Sequence, residues 1–101
     1  MSIYRRFPSR SQPSFVTTNT YKQVKLFSSA GTCELLVSII YQIRAELQLT
    51  LLAFAVMPDH FHLVVLPPED GPAQMMQLIK GRFARFYNVQ AARDGPVWQS
   101  R

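Results

Sequence analysis

Two apolar runs, residues 50–57 (TLLAFAVM) and 60–66 (HFHLVVL), meet at a single Pro58-Asp59 step, and this junction constrains the chain more than any other feature. Each run has strand length, and Pro-Asp is a turn signal. Pro67-Pro68 stops the second run, because proline cannot donate to a strand ladder. The pattern predicts an antiparallel hairpin joined by a two-residue turn.

The rest of the chain organises around that hairpin. Residues 14–22 (SFVTTNTYK) alternate apolar and polar side chains and are rich in β-branched and aromatic types, which predicts a first strand. Leu35, Leu36, Ile39, Ile40, Ile43 and Leu47 recur at helical spacing after Thr32, a candidate N-cap. Asp70, Gly71 and Pro72 mark a second helix start, with an apolar stripe of Met75, Ile79, Phe83 and Phe86, and Asp94-Gly95-Pro96 closes it. The expected order is strand, helix, strand, strand, helix. A ferredoxin-like α+β fold continues that order with one more strand, which lies beside the first and covers its edge. Here residues 97–101 have room only for a stub of it, so the expectation is an antiparallel sheet with two helices and an absent fourth strand.

The chain has 101 residues, which is one domain. Its N-terminal residues 1–13, rich in Ser, Pro and Arg without apolar period, read as an irregular basic arm. With 48% hydrophobic and 17% charged residues the composition supports a buried core and excludes a disordered tail. Cys33 is the single cysteine, which excludes a disulfide framework or a cysteine-rich zinc site and fits a reducing, cytoplasmic setting. No apolar run approaches the roughly 20 residues of a membrane span, and the N-terminus has no signal-peptide core.

The net charge of +5 is unevenly distributed. All charges in residues 1–30 are positive, namely Arg5, Arg6, Arg10, Lys22 and Lys25, and those in residues 71–93 are Lys80, Arg82, Arg85 and Arg93. Between them acids dominate. Two basic segments flanking a near-neutral centre suit either solvated surface or contact with a polyanion; for the latter, Arg5, Arg6, Lys80, Arg82 and Arg85 are the candidate phosphate contacts. Trp98 and Phe7 are candidate base-stacking residues.

Chemistry concentrates at His60-Phe61-His62, the only histidines in the chain. Side chains alternate along a strand, so both imidazoles project from one face, about 6.6 Å apart along the backbone. Phe61, Leu63 and Val65 then face a core. Two neutral imidazoles on a rigid strand can ligate a divalent metal and leave positions for a further ligand and a substrate oxygen. Such an ion could polarise a phosphodiester. A metallo-hydrolase pattern would need Asp-His after the pair, where this chain has only apolar residues. An amidohydrolase barrel needs about 200 residues or more.

The sequence resembles the single-tyrosine HUH transposases, especially the REP-associated tyrosine transposase-like members. The resemblance rests on Tyr4-Arg5-Arg6 ahead of Phe15-Val16-Thr17-Thr18-Asn19-Thr20, on Met57-Pro58-Asp59-His60-Phe61-His62, on Leu78-Ile79-Lys80-Gly81-Arg82-Phe83, and on Trp98-Gln99-Ser100-Arg101. It implies an insertion-sequence enzyme that cuts and rejoins single-stranded hairpin DNA, acts as a homodimer, and is associated with the bacterial nucleoid. It also implies that His60 and His62 bind Mg²⁺ or Mn²⁺ while a tyrosine hydroxyl forms a covalent link to the DNA 5′ phosphate.

In that family the tyrosine stands on a helix beyond the Trp-Gln signature, which also carries the third metal ligand. The stretch to Arg101 does not reach that position, so the expectation is a chain without the nucleophile. Among Tyr4, Tyr21, Tyr41 and Tyr87, only Tyr87 follows basic residues on a helix, and it reads as an amphipathic side chain at the core edge. The alternative is a non-catalytic module that grips single-stranded or hairpin nucleic acid, or a degenerate remnant.

Overall fold

The computed structural model describes residues 12–66 and 71–100. Its elements are strand β1 (Ser14–Asn19), helix α1 (Ala30–Glu46), strands β2 (Thr50–Met57) and β3 (His60–Leu66), and helix α2 (Ala73–Gln90). The three strands form one antiparallel sheet in the order β1-β3-β2, with the two helices layered on one face. This is the expected α+β architecture. Among the described residues no helix is long and apolar enough to cross a membrane.

The hairpin has the expected register up to Ala53, with Met57 opposite His60 and Ala55 opposite His62. A bulge between Leu51 and Ala53 shifts the pairing by one residue and turns Leu52 out to solvent. Alternation on β3 is strict: Phe61, Leu63 and Val65 are buried, and His60, His62 and Val64 face the other way. Phe61 and its neighbours meet Leu36, Ile39, Ile40 and Ile43 of α1 and Met75, Ile79 and Phe83 of α2. Full burial of such side chains contributes about 1.5–3 kcal/mol each before entropy is subtracted.

Several local expectations are corrected. Strand β1 ends at Asn19, because Lys22 and Gln23 adopt φ of 55° and 58° and turn the chain away from extended geometry. Helix α1 starts at Ala30 with Ser29 at the cap; the hydroxyl of Thr32, expected to cap it, donates instead toward the Leu26 and Ser29 carbonyls. Helix α2 stops at Gln90, ahead of Asp94-Gly95-Pro96, and Ala92 follows in the left-handed region. Phe86 is half exposed, while Tyr87 packs partly against the core.

Trp98 is the other correction. It is buried, with its ring 5.3 to 6.0 Å from those of Phe27, Phe61 and Phe83, and its Nε1 donates to the Lys80 carbonyl at 2.9 Å. It is therefore core, not a stacking platform; an indole is buried readily where its N–H finds an acceptor. Phe7 lies outside the described residues.

Trp98 also shows where a fourth strand position begins. The peptide joining Asn19 and Thr20 sends its N–H to the Asp59 carbonyl at 3.0 Å and its C=O to the Gln99 N–H at 2.9 Å. In a trans peptide these two groups point in opposite directions. Residues 97–99 thus lie on the side of β1 away from β3, with Thr20 and Trp98 forming an antiparallel bridge.

Candidate metal and nucleic-acid site

His60 and His62 stand on the sheet face that carries no helix. Their rings lie edge to face with centroids 4.9 Å apart. Register puts Asn19 and Met57 beside His60, and Thr17 and Ala55 beside His62. Ala55 is small, so β2 leaves space next to the His62 ring.

Each ring is anchored through Nδ1. His60 Nδ1 is 2.8 Å from Asp59 Oδ1, and His62 Nδ1 is 2.9 Å from Thr17 Oγ1. An ionised carboxylate can only accept, so Asp59 requires a proton on His60 Nδ1 and leaves the Nε2 lone pair of the neutral ring for a ligand. The hydrogen bond from His60 holds the Asp59 carboxyl below its ordinary value, with the nearby Lys25 charge a minor contribution. Thr17 can donate or accept, so it orients the His62 ring without dictating its tautomer.

This arrangement fits a divalent metal as a partial ligand set. Two imidazoles share a face, both Nδ1 atoms are engaged, and no hydrogen bond among the described residues falls on either Nε2. Among the described residues no group of three His, Cys, Asp or Glu is arranged to hold an ion. The pair therefore offers two candidate ligands and not a complete shell.

The described candidate phosphate contacts, Lys80, Arg82 and Arg85, do not form a single surface. Lys80 shares a polar depression with Thr17, Asn19 and Gln99, at the β1 edge beside the histidine face. Arg82 turns the other way around α2, where it donates to both Glu46 oxygens at 2.8 and 2.9 Å and to Gln42 at 3.3 Å, tying α2 to α1. That pairing raises the Arg82 pKa and lowers the Glu46 pKa, in each case through the hydrogen bond first. Arg85 is exposed on the last turns of α2, beside Asn88 and Arg93. Arg5 and Arg6 lie outside the described residues.

Tyr87 belongs to the helix layer, stacked on Phe83 with centroids 5.7 Å apart, whereas the histidines occupy the opposite sheet face. Two residues that support the site escaped the sequence reading, Thr17 and Thr20. Thr20 is fully buried; its hydroxyl proton has the Val24 carbonyl at 2.7 Å and the Asp59 carbonyl at 3.1 Å within reach, which ties the end of β1 to the hairpin turn. Both depend on the β1 to β3 register, which periodicity within one strand does not carry.

Two solved structures share this architecture. One is a REP-associated tyrosine transposase bound to a REP hairpin: TM-score 0.74, 23% identity, covering 100% of this chain and 59% of that one. The other is a candidate transposase from Deinococcus radiodurans: TM-score 0.72, 21% identity, covering 88% of this chain and 73% of that one. These likenesses define the fold as that of a transposase domain. The IS200-like transposase family matches over residues 9–101, and the chain belongs to that family. Among curated proteins, none matches.

Proposed function

We propose that this chain carries the metal-binding part of a single-tyrosine transposase, acting on single-stranded or hairpin DNA, and that His60 and His62 hold a divalent ion, Mg²⁺ or Mn²⁺, through Nε2. The observation that carries the reading is the paired imidazoles on the free sheet face with both Nδ1 atoms engaged, at 2.8 and 2.9 Å. Family membership and the hairpin held by one structural relative support the choice of substrate. The bound ion would supply charge neutralisation at a phosphodiester. Asp59 keeps the lone pair of His60 directed outward, and Thr17 limits rotation of His62. Lys80, at the rim of the same face, offers a cation to the DNA backbone, with Arg5, Arg6 and Arg85 as further contacts; Arg82 has its charge committed to Glu46. No described tyrosine is assigned the nucleophile's role.

The test is binding of a labelled DNA stem-loop with single-stranded flanks, with and without Mn²⁺. The expected result is tighter binding with Mn²⁺ in the wild type and no Mn²⁺ effect after His60→Ala with His62→Ala. Equal Mn²⁺ dependence in both proteins would refute the assignment. A module that binds without an ion would show strong stem-loop binding indifferent to Mn²⁺ in either protein.

A further inference from the structure

A cavity of about 200 Å³ opens between the turn after β1 and the segment after α2, walled by Tyr21, Val24, Tyr87, Arg93 and Pro96. Sites for drug-sized ligands run from about 300 to 1,000 Å³, so this one admits a single ring system. Its chemistry is that of a flat aromatic guest joined to an anion. Tyr87 is fixed by its stack on Phe83, and the Arg93 guanidinium sits 5.6 Å from the Tyr87 ring centroid. Arg93 is held by the Asn88 side chain and the Pro96 carbonyl, both neutral, and among the described residues no carboxylate lines the cavity.

Tyr21, 38% exposed, also lines the cavity, with the Lys22 ammonium 5.4 Å from its ring centroid. Lys22 and Gln23 both hold left-handed φ without being glycine. Strain of that kind persists where surrounding structure enforces it, and it recurs at ligand clamps. Tyr21 is enforced by its N–H bond to the Val97 carbonyl at 2.8 Å, and the preceding Thr20 is bonded to Asp59. The cavity therefore opens one residue from the hairpin turn that carries His60.

We propose that this cavity receives one unpaired base of the DNA strand, with Tyr21 and the Arg93 guanidinium as its stacking surfaces and Lys22 near the adjoining phosphate. Unpaired bases are recognised by stacking on aromatic rings and guanidinium planes, largely without regard to sequence. The inference rests on the DNA-binding reading above and deepens it.

The probe is a DNA stem-loop with oligothymidine flanks, made abasic at one flank position at a time and bound to the full chain. In the wild type one position should cost about 5- to 150-fold in affinity when its base is removed. Tyr21→Ala should weaken the intact probe by a similar factor and lose sensitivity at that position, while Tyr21→Phe retains both. Arg93→Gln is the second variant, expected to lose part of the same sensitivity. Unchanged positional sensitivity in Tyr21→Ala, or a wild type indifferent to every abasic position while binding the intact probe, overturns the base site alone. Failure of the wild type to bind the intact probe overturns the DNA-binding reading with it.

Discussion

Asp59 and His60, adjacent in sequence, are joined side chain to side chain at 2.8 Å, so the hairpin turn itself supplies the carboxylate that sets the imidazole tautomer. The Pro58-Asp59 step thus closes the hairpin and also places a carboxylate against the His60 ring. Removing the carboxylate with Asp59→Ala should lower Mn²⁺ affinity about 10- to 100-fold, the usual effect of losing such a supporting partner. Asp59→Asn keeps a neutral acceptor and should fall between. Calorimetric titration of Mn²⁺ ranks the three proteins.

Thr17 supports His62 from the neighbouring strand. Thr17→Val preserves shape and strand preference but removes the oxygen, so Mn²⁺ affinity should drop while the melting temperature stays close to wild type. Thr17→Ser should restore affinity. Paired thermal melts and titrations separate an effect on the site from an effect on the fold.

Much of this was legible in the chain. The His-x-His spacing and the flanking Phe61, Leu63 and Val65 sort onto two faces by strand periodicity alone, and Met75, Ile79 and Phe83 sort inward by helical spacing. What stayed hidden depends on three-dimensional partners. The Arg82 pairing with Glu46 links residues 36 positions apart, so counting basic residues on α2 treated a committed charge as a free one. Trp98 was misread because its acceptor, the Lys80 carbonyl, comes from another element. The end of α2 was placed too late because the residue that follows it at positive φ, Ala92 at 54°, is not a glycine that would announce it.

That last feature has a stability consequence. An L side chain in the left-handed region costs about 1–2 kcal/mol, part of which glycine regains and part of which it returns as unfolded-state entropy. Ala92→Gly should therefore stabilise the chain by about 1 kcal/mol in urea unfolding. A loss of stability would show that the strain at Ala92 is offset by contacts of its methyl group.

The Glu46 carboxyl, depressed by the Arg82 hydrogen bond, makes stability depend on acid. Its contribution is fully present above the unfolded value near 4.5 and is lost as pH falls through the lower folded value. Glu46→Gln should narrow the stability difference between neutral and acid solution, by unfolding curves collected down through that window.

Trp98 ties the segment after α2 into the core through three aromatic neighbours. Trp98→Ala should cost about 3–5 kcal/mol. Its effect on Mn²⁺ affinity should vanish under conditions where the variant is fully folded, since the indole lies in the helix-side core and the histidines on the other sheet face.

If the two imidazoles bind one ion together, both place a nitrogen in its coordination shell. Pulsed electron paramagnetic resonance of Mn²⁺ added to the protein reads nitrogen ligation directly. The expected result is nitrogen modulation in the wild type, weaker modulation in His60→Ala and in His62→Ala, and none in the double variant. Undiminished nitrogen modulation in the double variant, or none in the wild type at saturating Mn²⁺, would contradict joint ligation by His60 and His62.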